Sequence, residues 1–243
     1  MNTRFRTSLS ALVVAGALAV PLAGVAAAEG DAPPTEAPAG ARFDEAKARC
    51  LAAIDERLAT LADLEGKVTS HEHVTDAHRA ALLAEVTAAS AGLSDLRPQI
   101  EAAADAATLR ELCPKIVFDY RVYVLEVPTV HLTLGADKAD FVVGRLTDAS
   151  TLLADAIAAA QAAGKDVGDA PALLADLDAK VAQADDLAAP VADAVIPLVP
   201  ADWNGGVAEP IVEGARNDLV QARDLLRGAI ANARQIVEIL GTA

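Results

Sequence analysis

The densest group of residues that could bind a metal ion lies in a short polar segment, residues 71–78. It contains His71, His73 and His78, three of the four histidines in the chain, together with Asp76. Imidazole nitrogens combined with carboxylate oxygens suit zinc, nickel or copper. The spacing differs from the H-E-x-x-H pattern of zinc proteases. The segment therefore indicates either a site for a divalent metal, the one cofactor that the sequence leaves open, or a solvated turn between two helices.

Both tyrosines of the chain lie in a second group of reactive residues, between positions 118 and 131. On one helix the two tyrosines would share a face, where their rings would either fill the core or line a groove. The candidate groove residues are Tyr120, Tyr123, Arg121, Glu126 and His131. In a groove, the arginine and the glutamate would supply the charges that recognise a partner.

The single tryptophan, Trp203, stands in a segment rich in proline and glycine before the last predicted helix. A tryptophan in such a turn covers one end of a helical bundle, or contacts a partner where it is exposed. Elsewhere the chain has no nucleophile elbow, phosphate-binding loop, dinucleotide fingerprint or calcium loop. We therefore expect a protein that is not an enzyme.

The two cysteines, Cys50 and Cys113, are predicted to form a disulfide. The chain has the features of an exported protein, and paired cysteines in oxidising compartments are usually bonded. In an up-down-up arrangement of the first three helices, both thiols would lie at a similar height, because helices one and three start at the same end. A redox-active pair would be expected to show C-x-x-C spacing, which this pair lacks.

The first 28 residues have the pattern of a secretory signal peptide. Arg4 and Arg6 precede an apolar stretch over residues 9–20, and three alanines end at Ala28. Residues 29–41, which are rich in proline, glycine and acidic residues, are predicted to be a disordered linker. We expect a secreted or extracytoplasmic protein of the cell envelope, with no stable membrane insertion after the signal is cleaved.

The charge of the chain narrows the choice of partner. It has 35 acidic and 20 basic residues and a net charge of −15 at pH 7, and the predicted signal peptide removes two of the basic residues. Such a protein repels nucleic acid and anionic membranes. The acidic residues either attract a cationic partner or keep an alanine-rich surface soluble.

Beyond residue 42, apolar residues recur at steps of three and four, which predicts helices almost throughout. Helix one is expected to end near Lys67, and helix two to begin at Asp76 with Thr75 as its N-cap. A capping-box pattern at Thr108 predicts the start of a third helix, which continues through the tyrosines. Proline is expected to kink or interrupt helix two at Pro98.

A break at Val127-Pro128 is expected to separate the third helix from a fourth, which ends near Gly164. Prolines at 190 and 197 are expected to interrupt a fifth helix, and Gly241 to cap the sixth. The predicted fold is all-α, an elongated antiparallel bundle of about five to six long helices with one disulfide. The bundle would cover residues 42–243, with a sub-division into 42–165 and 170–243.

Four short runs carry a resemblance to a group of uncharacterised exported helical proteins from high-GC Gram-positive bacteria. The runs are VTDAHRAALL (74–83), AGL (91–93), ATLR (107–110) and DYRVY (119–123). The resemblance covers roughly residues 43–140 and implies a helical fold in an envelope or secreted setting. It implies no catalytic or binding residue, because none is established for that group.

The sequence thus favours a non-catalytic secreted or cell-envelope helical protein that binds an unidentified protein or wall component rather than nucleic acid. The alternative is an extracytoplasmic protein that binds a divalent metal through the turn from His71 to His78. An amphipathic lipid-binding bundle is disfavoured by the negative charge.

Overall fold

Helices follow the apolar three-and-four spacing through nearly all of residues 39–242, the range that the computed structural model describes. The elements are α1 (Ala39–Ser70), α2 (Asp76–Ala102), α3 (Ala106–Leu112), α4 (Lys115–Phe118), a π-helical turn (Val122–Glu126), α5 (Val127–Ala162), α6 (Ala170–Ala188), α7 (Val191–Val195), α8 (Pro200–Asn204) and α9 (Ala208–Thr242). No strand occurs in this range. The predicted all-α bundle of five to six long helices is confirmed, with α1, α2, α5, α6 and α9 as the long ones.

The turn between α1 and α2 is held by two caps. Thr75 is the N-cap of α2, as predicted, and its hydroxyl accepts a hydrogen bond of 3.2 Å from the backbone N–H of His78. The guanidinium of Arg79 donates to the carbonyls of Val68, Thr69 and His71 at the end of α1. These charge-assisted bonds satisfy carbonyls that a helix C-terminus leaves without partners.

The predicted third helix is wrong in its start and in its length. Asp105, not Thr108, caps α3, because its carboxylate accepts a bond of 2.8 Å from the Thr108 N–H. The helix then stops at Leu112, since Pro114 cannot donate a backbone hydrogen bond. A second break follows at Arg121, whose backbone is left-handed, so the two tyrosines do not share one helical face.

Pro98 does not interrupt α2, which continues to Ala102. The element boundary predicted at Val127-Pro128 is confirmed, because α5 begins at Val127 and Pro128 lies in its first turn, where its missing N–H would be unpaired anyway. Gly241 does not cap α9, which extends through Thr242. The breaks predicted near Pro190 and Pro197 are confirmed by the ends of α6 and α7.

A disulfide joins Cys50 of α1 to Cys113 at the end of α3, as predicted, with Cα atoms 5.7 Å apart. It fastens α3 to the hairpin of α1 and α2. The linked residues are half-buried against the apolar cluster that this hairpin forms.

The core consists of three apolar clusters that share α5 as a common helix. The first lies between α1, α2, the short helices after them and the start of α5. The second packs the rest of α5 against α6 and α9. A smaller third cluster joins α5 and α9 to α7.

The predicted signal peptide, residues 1–28, and most of the predicted linker lie outside the described residues. Within the described range, α1 already begins at Ala39. None of the helices in that range is long and apolar enough to span a membrane.

Candidate functional site

Backbone strain marks the junction between α4 and α5. Arg121 has φ 44° and ψ 35°, and among the described residues other than glycine it alone has a positive φ. This left-handed conformation is unfavourable for a residue with a Cβ and persists only where its surroundings enforce it. Its Nε donates to Asn204 Oδ1 of α8 at 2.7 Å, and its guanidinium lies 4.6 Å from the centre of the Phe118 ring. Asn204 in turn donates to the Phe118 carbonyl.

The π-helical turn that follows directs Glu126 into a small pocket. Turns of this kind are rare and often occur at functional sites. The pocket has a volume of about 260 Å³, and the polar residues lining it are Glu85 from α2, Asp119, Tyr120 and Glu126. Its remaining walls are two alanines of α2 and the segment 198–200 before α8. We call it the Glu85–Glu126 pocket.

Two carboxyl groups in this pocket have strongly perturbed acidity. Glu126 is only 9 % exposed, and it has no hydrogen bond or ion pair to any residue between 39 and 242. Burial raises the pKa of Glu126 to about 7. Burial, with the nearby Glu126 carboxylate as a second cause, also raises the pKa of Glu85 to about 7. Near neutral pH the pocket therefore carries acidic groups that are easily protonated and lack a cation.

Tyr120 occupies its place in the pocket because α2 has a glycine beside it. A Cβ on Gly92 would lie 2.6 Å from Tyr120 Cε1 and 2.7 Å from its hydroxyl oxygen, well inside van der Waals contact. Burial raises the pKa of the Tyr120 hydroxyl, and the carboxylates of Asp119 and Asp95 raise it further. The hydroxyl thus remains a neutral donor.

The structure brings together only part of the groove predicted from the sequence. Tyr120 and Glu126 share the pocket. Tyr123 instead lies exposed, with the Arg57 guanidinium 4.9 Å from its ring centre, and His131 lines a different pocket. Arg121 holds α8. The sequence analysis missed Glu85, although its place among apolar neighbours on α2 was a signal that it faces inward.

Of the histidines in the turn from His71 to His78, His78 connects α2 to α5. His78 Nδ1 and Asp137 Oδ1 are 2.8 Å apart, and the other oxygen of Asp137 accepts a bond of 3.0 Å from the Thr75 N–H. Asp137 is buried. His78 is therefore engaged in a structural contact with a carboxylate that the sequence analysis did not identify.

The other histidines surround an open pocket of about 600 Å³, the histidine pocket. His71, His73 and His131 line it. The His73 ring stacks on Phe141 with centroids 4.0 Å apart and meets His71 edge-on at 6.0 Å. His71 Nδ1 is buried without a hydrogen-bond partner, and burial, followed by the neighbouring His73, lowers the pKa of His71. Burial likewise lowers the pKa of His131.

Between Ala39 and Thr242, no three His, Cys, Asp or Glu side chains are arranged so that they could hold a metal ion together. Asp76, the fourth predicted ligand, is exposed in the first turn of α2. His78 contacts Asp137 rather than His73. The histidine pocket thus gathers two imidazoles from the turn between α1 and α2 and one from α5, without arranging them as a ligand set.

A buried polar stripe along α5 connects the two regions. Glu126, Thr129, Thr133 and Asp137 are all buried, at successive steps of three, four and four, so they lie on one helical face. The hydroxyl oxygens of the two threonines have no hydrogen-bond partner. One end of the stripe is the Glu85–Glu126 pocket, and the other is the contact with His78.

Trp203 is part of the bundle rather than an exposed contact residue. It lies in α8, is half-buried, and packs on the third apolar cluster. The helix that carries it is the one that Arg121 contacts through Asn204.

Comparisons with known proteins found no match to this chain among protein-family models, curated proteins or solved structures.

Proposed function

We propose that this is a non-catalytic secreted or cell-envelope protein that binds a protein or wall component, and that the Glu85–Glu126 pocket receives a cationic group of that partner. A primary ammonium or a guanidinium would fit this role. The observation that carries the proposal is Glu126, a residue that is only 9 % exposed, lines the pocket, and has no ion pair among residues 39–242.

Binding of a cation would relieve the electrostatic cost of this arrangement. A buried carboxylate without a partner is unfavourable, and two that face each other are more so. An ammonium or guanidinium between them would replace the lost hydration with charge-assisted hydrogen bonds. The negative charge of the whole chain would also speed the approach of a cationic partner.

A binding role is favoured over catalysis by what lines the pocket. Carboxyl groups with a pKa near 7 can act as general acids, but the lining residues include no cation and no side-chain amide to stabilise a developing negative charge. Besides the two glutamates, Asp119 and the Tyr120 hydroxyl are the polar groups of the lining, and the other walls are alanine, leucine, valine and proline.

Calorimetric titration at pH 8 with N-acetyl-lysine amide and N-acetyl-arginine amide tests the proposal, with the uncharged N-acetyl-norleucine amide as the reference ligand. We expect saturable binding of at least one cationic probe. Glu126→Gln should weaken it about tenfold or more, because a buried charge pair loses one member. At pH 5.5 binding should also weaken, since both carboxyls are then protonated.

The matched control is Glu65→Gln, which neutralises an exposed glutamate of α1. Equal weakening in the control and in Glu126→Gln would contradict the proposal, as would equal binding of the uncharged probe. The amount of partner captured from envelope extract should likewise fall with Glu126→Gln and stay unchanged with Glu65→Gln.

A second candidate function is divalent-metal binding at the histidine pocket. It is favoured by the convergence of His71, His73 and His131 on one pocket, with His71 Nδ1 unbonded. Binding would require these side chains to reorient, given the arrangement described above. A thermal-shift titration with Zn²⁺, Ni²⁺, Cu²⁺ and Ca²⁺ tests it: a saturable rise in Tm should disappear in His71→Ala/His73→Ala. No rise with any ion would refute it.

A further inference from the structure

An open groove of about 450 Å³ runs between α5 and α9, and its floor is apolar. Leu132 and Val142 of α5 face Leu219, Leu226 and Ile230 of α9 across it. The volume falls within the range of small-molecule sites, which are concave and lined mainly by apolar side chains. A ligand that fills this groove would need a hydrocarbon portion.

The rim of the groove is cationic although the protein is acidic. Its charged lining residues are Lys138, Arg216, Arg223 and Arg227, and no carboxylate lines it. This occurs in a chain with a net charge of −15. The four basic side chains around the apolar floor therefore make this part of the surface positive, in contrast to the negative charge of the chain as a whole.

Part of this positive charge is not neutralised within the fold. Arg223 and Arg227 both lie near Asp224, at 3.7 and 3.3 Å. In the described part of the chain, Lys138 and Arg216 have no ion pair. The groove thus offers one cation from α5 and one from α9 to an anionic group that approaches from solvent.

We propose that this groove binds a free long-chain carboxylate, with its hydrocarbon chain on the apolar floor and its carboxylate held by Lys138 and Arg216. Arginine and lysine at the rim can bind a carboxylate by charge-assisted hydrogen bonds. The apolar floor stabilises the chain by removing it from water. A free acid is favoured over an anionic membrane surface because the net negative charge of the protein opposes approach to such a surface.

Calorimetric titration of the oxidised full-length chain with dodecanoate tests the proposal, at concentrations below micelle formation. We expect saturable binding, which weakens about tenfold when dodecanoate is replaced by decanoate, because two buried methylene groups are lost. Dodecyltrimethylammonium, which has the same chain and the opposite charge, should bind at least tenfold more weakly. Val220→Asp should also weaken dodecanoate binding, since this exposed valine lines the groove.

The decisive comparison uses two double variants that remove equal charge. Lys138→Ala/Arg216→Ala should weaken dodecanoate binding about tenfold or more. Lys115→Ala/Arg49→Ala, which removes one lysine and one arginine that do not line the groove, should leave it unchanged. Circular dichroism of each variant establishes that it is folded. If dodecanoate instead bound outside the groove through general charge attraction, the two double variants would weaken its binding equally.

Three outcomes would overturn the proposal. The first is no saturable binding of dodecanoate, and the second is an equal effect of the two double variants. The third is sedimentation with anionic vesicles in a protein that does not bind free dodecanoate, because it would make a membrane surface the occupant of the groove.

Discussion

At the scale of the residue, Glu126 and Glu85 lie in surroundings that change the ordinary acidity of a carboxyl group. Burial without a partner favours the neutral form of Glu126, and the same applies to Glu85 across the pocket. Asp119 and Tyr120 also line this pocket, and neither provides a positive charge. The folded protein thus holds protons here that the unfolded chain would release.

The raised pKa values make the free energy of unfolding decrease as the pH rises through 7. A carboxyl whose pKa is raised from 4.5 to about 7 on folding stabilises the fold fully below pH 4.5. That stabilisation is lost as pH rises through 7. For Glu126 we expect a loss of about 1–3 kcal/mol between pH 5 and pH 8, since one pKa unit corresponds to about 1.4 kcal/mol.

Glu126→Gln tests this expectation, because an amide of similar shape does not titrate. Urea unfolding at pH 5 and pH 8 should show a smaller loss of stability in this variant than in the wild type, whereas Glu65→Gln should behave like the wild type. The lowered pKa values of His71 and His131 act in the opposite sense below pH 6.5 and are common to all three proteins. An unchanged pH dependence in Glu126→Gln would contradict the assignment.

At the scale of the element, the sequence pattern predicted long helices well and short connections poorly. The helical character of the long segments and the N-cap of α2 were predicted correctly, since each depends on neighbours within one or two helical turns. The segment between α3 and α5 was not, because its path depends on contacts with distant residues. Arg121 adopts its left-handed backbone beside Asn204 of α8, and Tyr120 lies where Gly92 of α2 leaves space.

The candidate site was likewise predicted where its residues are close in the sequence, and missed where they come from distant helices. Tyr120 and Glu126 belong to one local segment and were named together from the sequence. Glu85 and Asp137 complete the two polar regions from other helices, and nothing in local spacing assigns them a partner. The buried polar stripe along α5 was not predicted, because its significance depends on which face of α5 is buried.

The two threonines of this stripe lead to a prediction about α5. Their hydroxyls are buried without hydrogen bonds, so Thr129→Val and Thr133→Val would remove an unsatisfied polar group while nearly keeping the shape. We expect each to stabilise the protein by about 1 kcal/mol. Helix propensity changes little between these residues. The measurement is the urea midpoint of each variant.

Thr147→Val is the matched control on the same helix. Thr147 is exposed, and its hydroxyl donates to the Val143 carbonyl at 3.0 Å. We expect no stabilisation there. Destabilisation by both buried substitutions would instead show that the hydroxyls bind buried water along the stripe.

At the scale of the whole molecule, α5 is the helix that contributes residues to all three apolar clusters. Its first residues pack on the cluster of α1 and α2, and its later residues pack on α6 and α9. The Glu85–Glu126 pocket lies against the first cluster, whereas the groove between α5 and α9 lies against the others. α5 thus lines the groove directly, whereas it adjoins the pocket only through Glu126, the residue that immediately precedes it.

The disulfide lies entirely within the first part of this assembly, which predicts an uneven response to reduction. Cys50 and Cys113 are 63 residues apart, and closing a loop of that length restricts the unfolded chain by about 4 kcal/mol in the chain-entropy model. Cys50→Ala/Cys113→Ala should therefore lower the free energy of unfolding by up to about this amount. The loss should be largest for α1 and α3, which the bond links, and for α2, which lies within the loop that it closes.

Hydrogen exchange of the oxidised wild type and the double alanine variant distinguishes two ways in which the clusters can be connected. If the clusters open separately, amide protection should fall in α1 to α3 and remain nearly unchanged in α6 and α9, because local opening follows local contacts. An equal fall in all the helices would mean that α5 couples the clusters into one cooperative unit. In that case a ligand in the groove between α5 and α9 would also stabilise the Glu85–Glu126 pocket, since both would share one unfolding equilibrium.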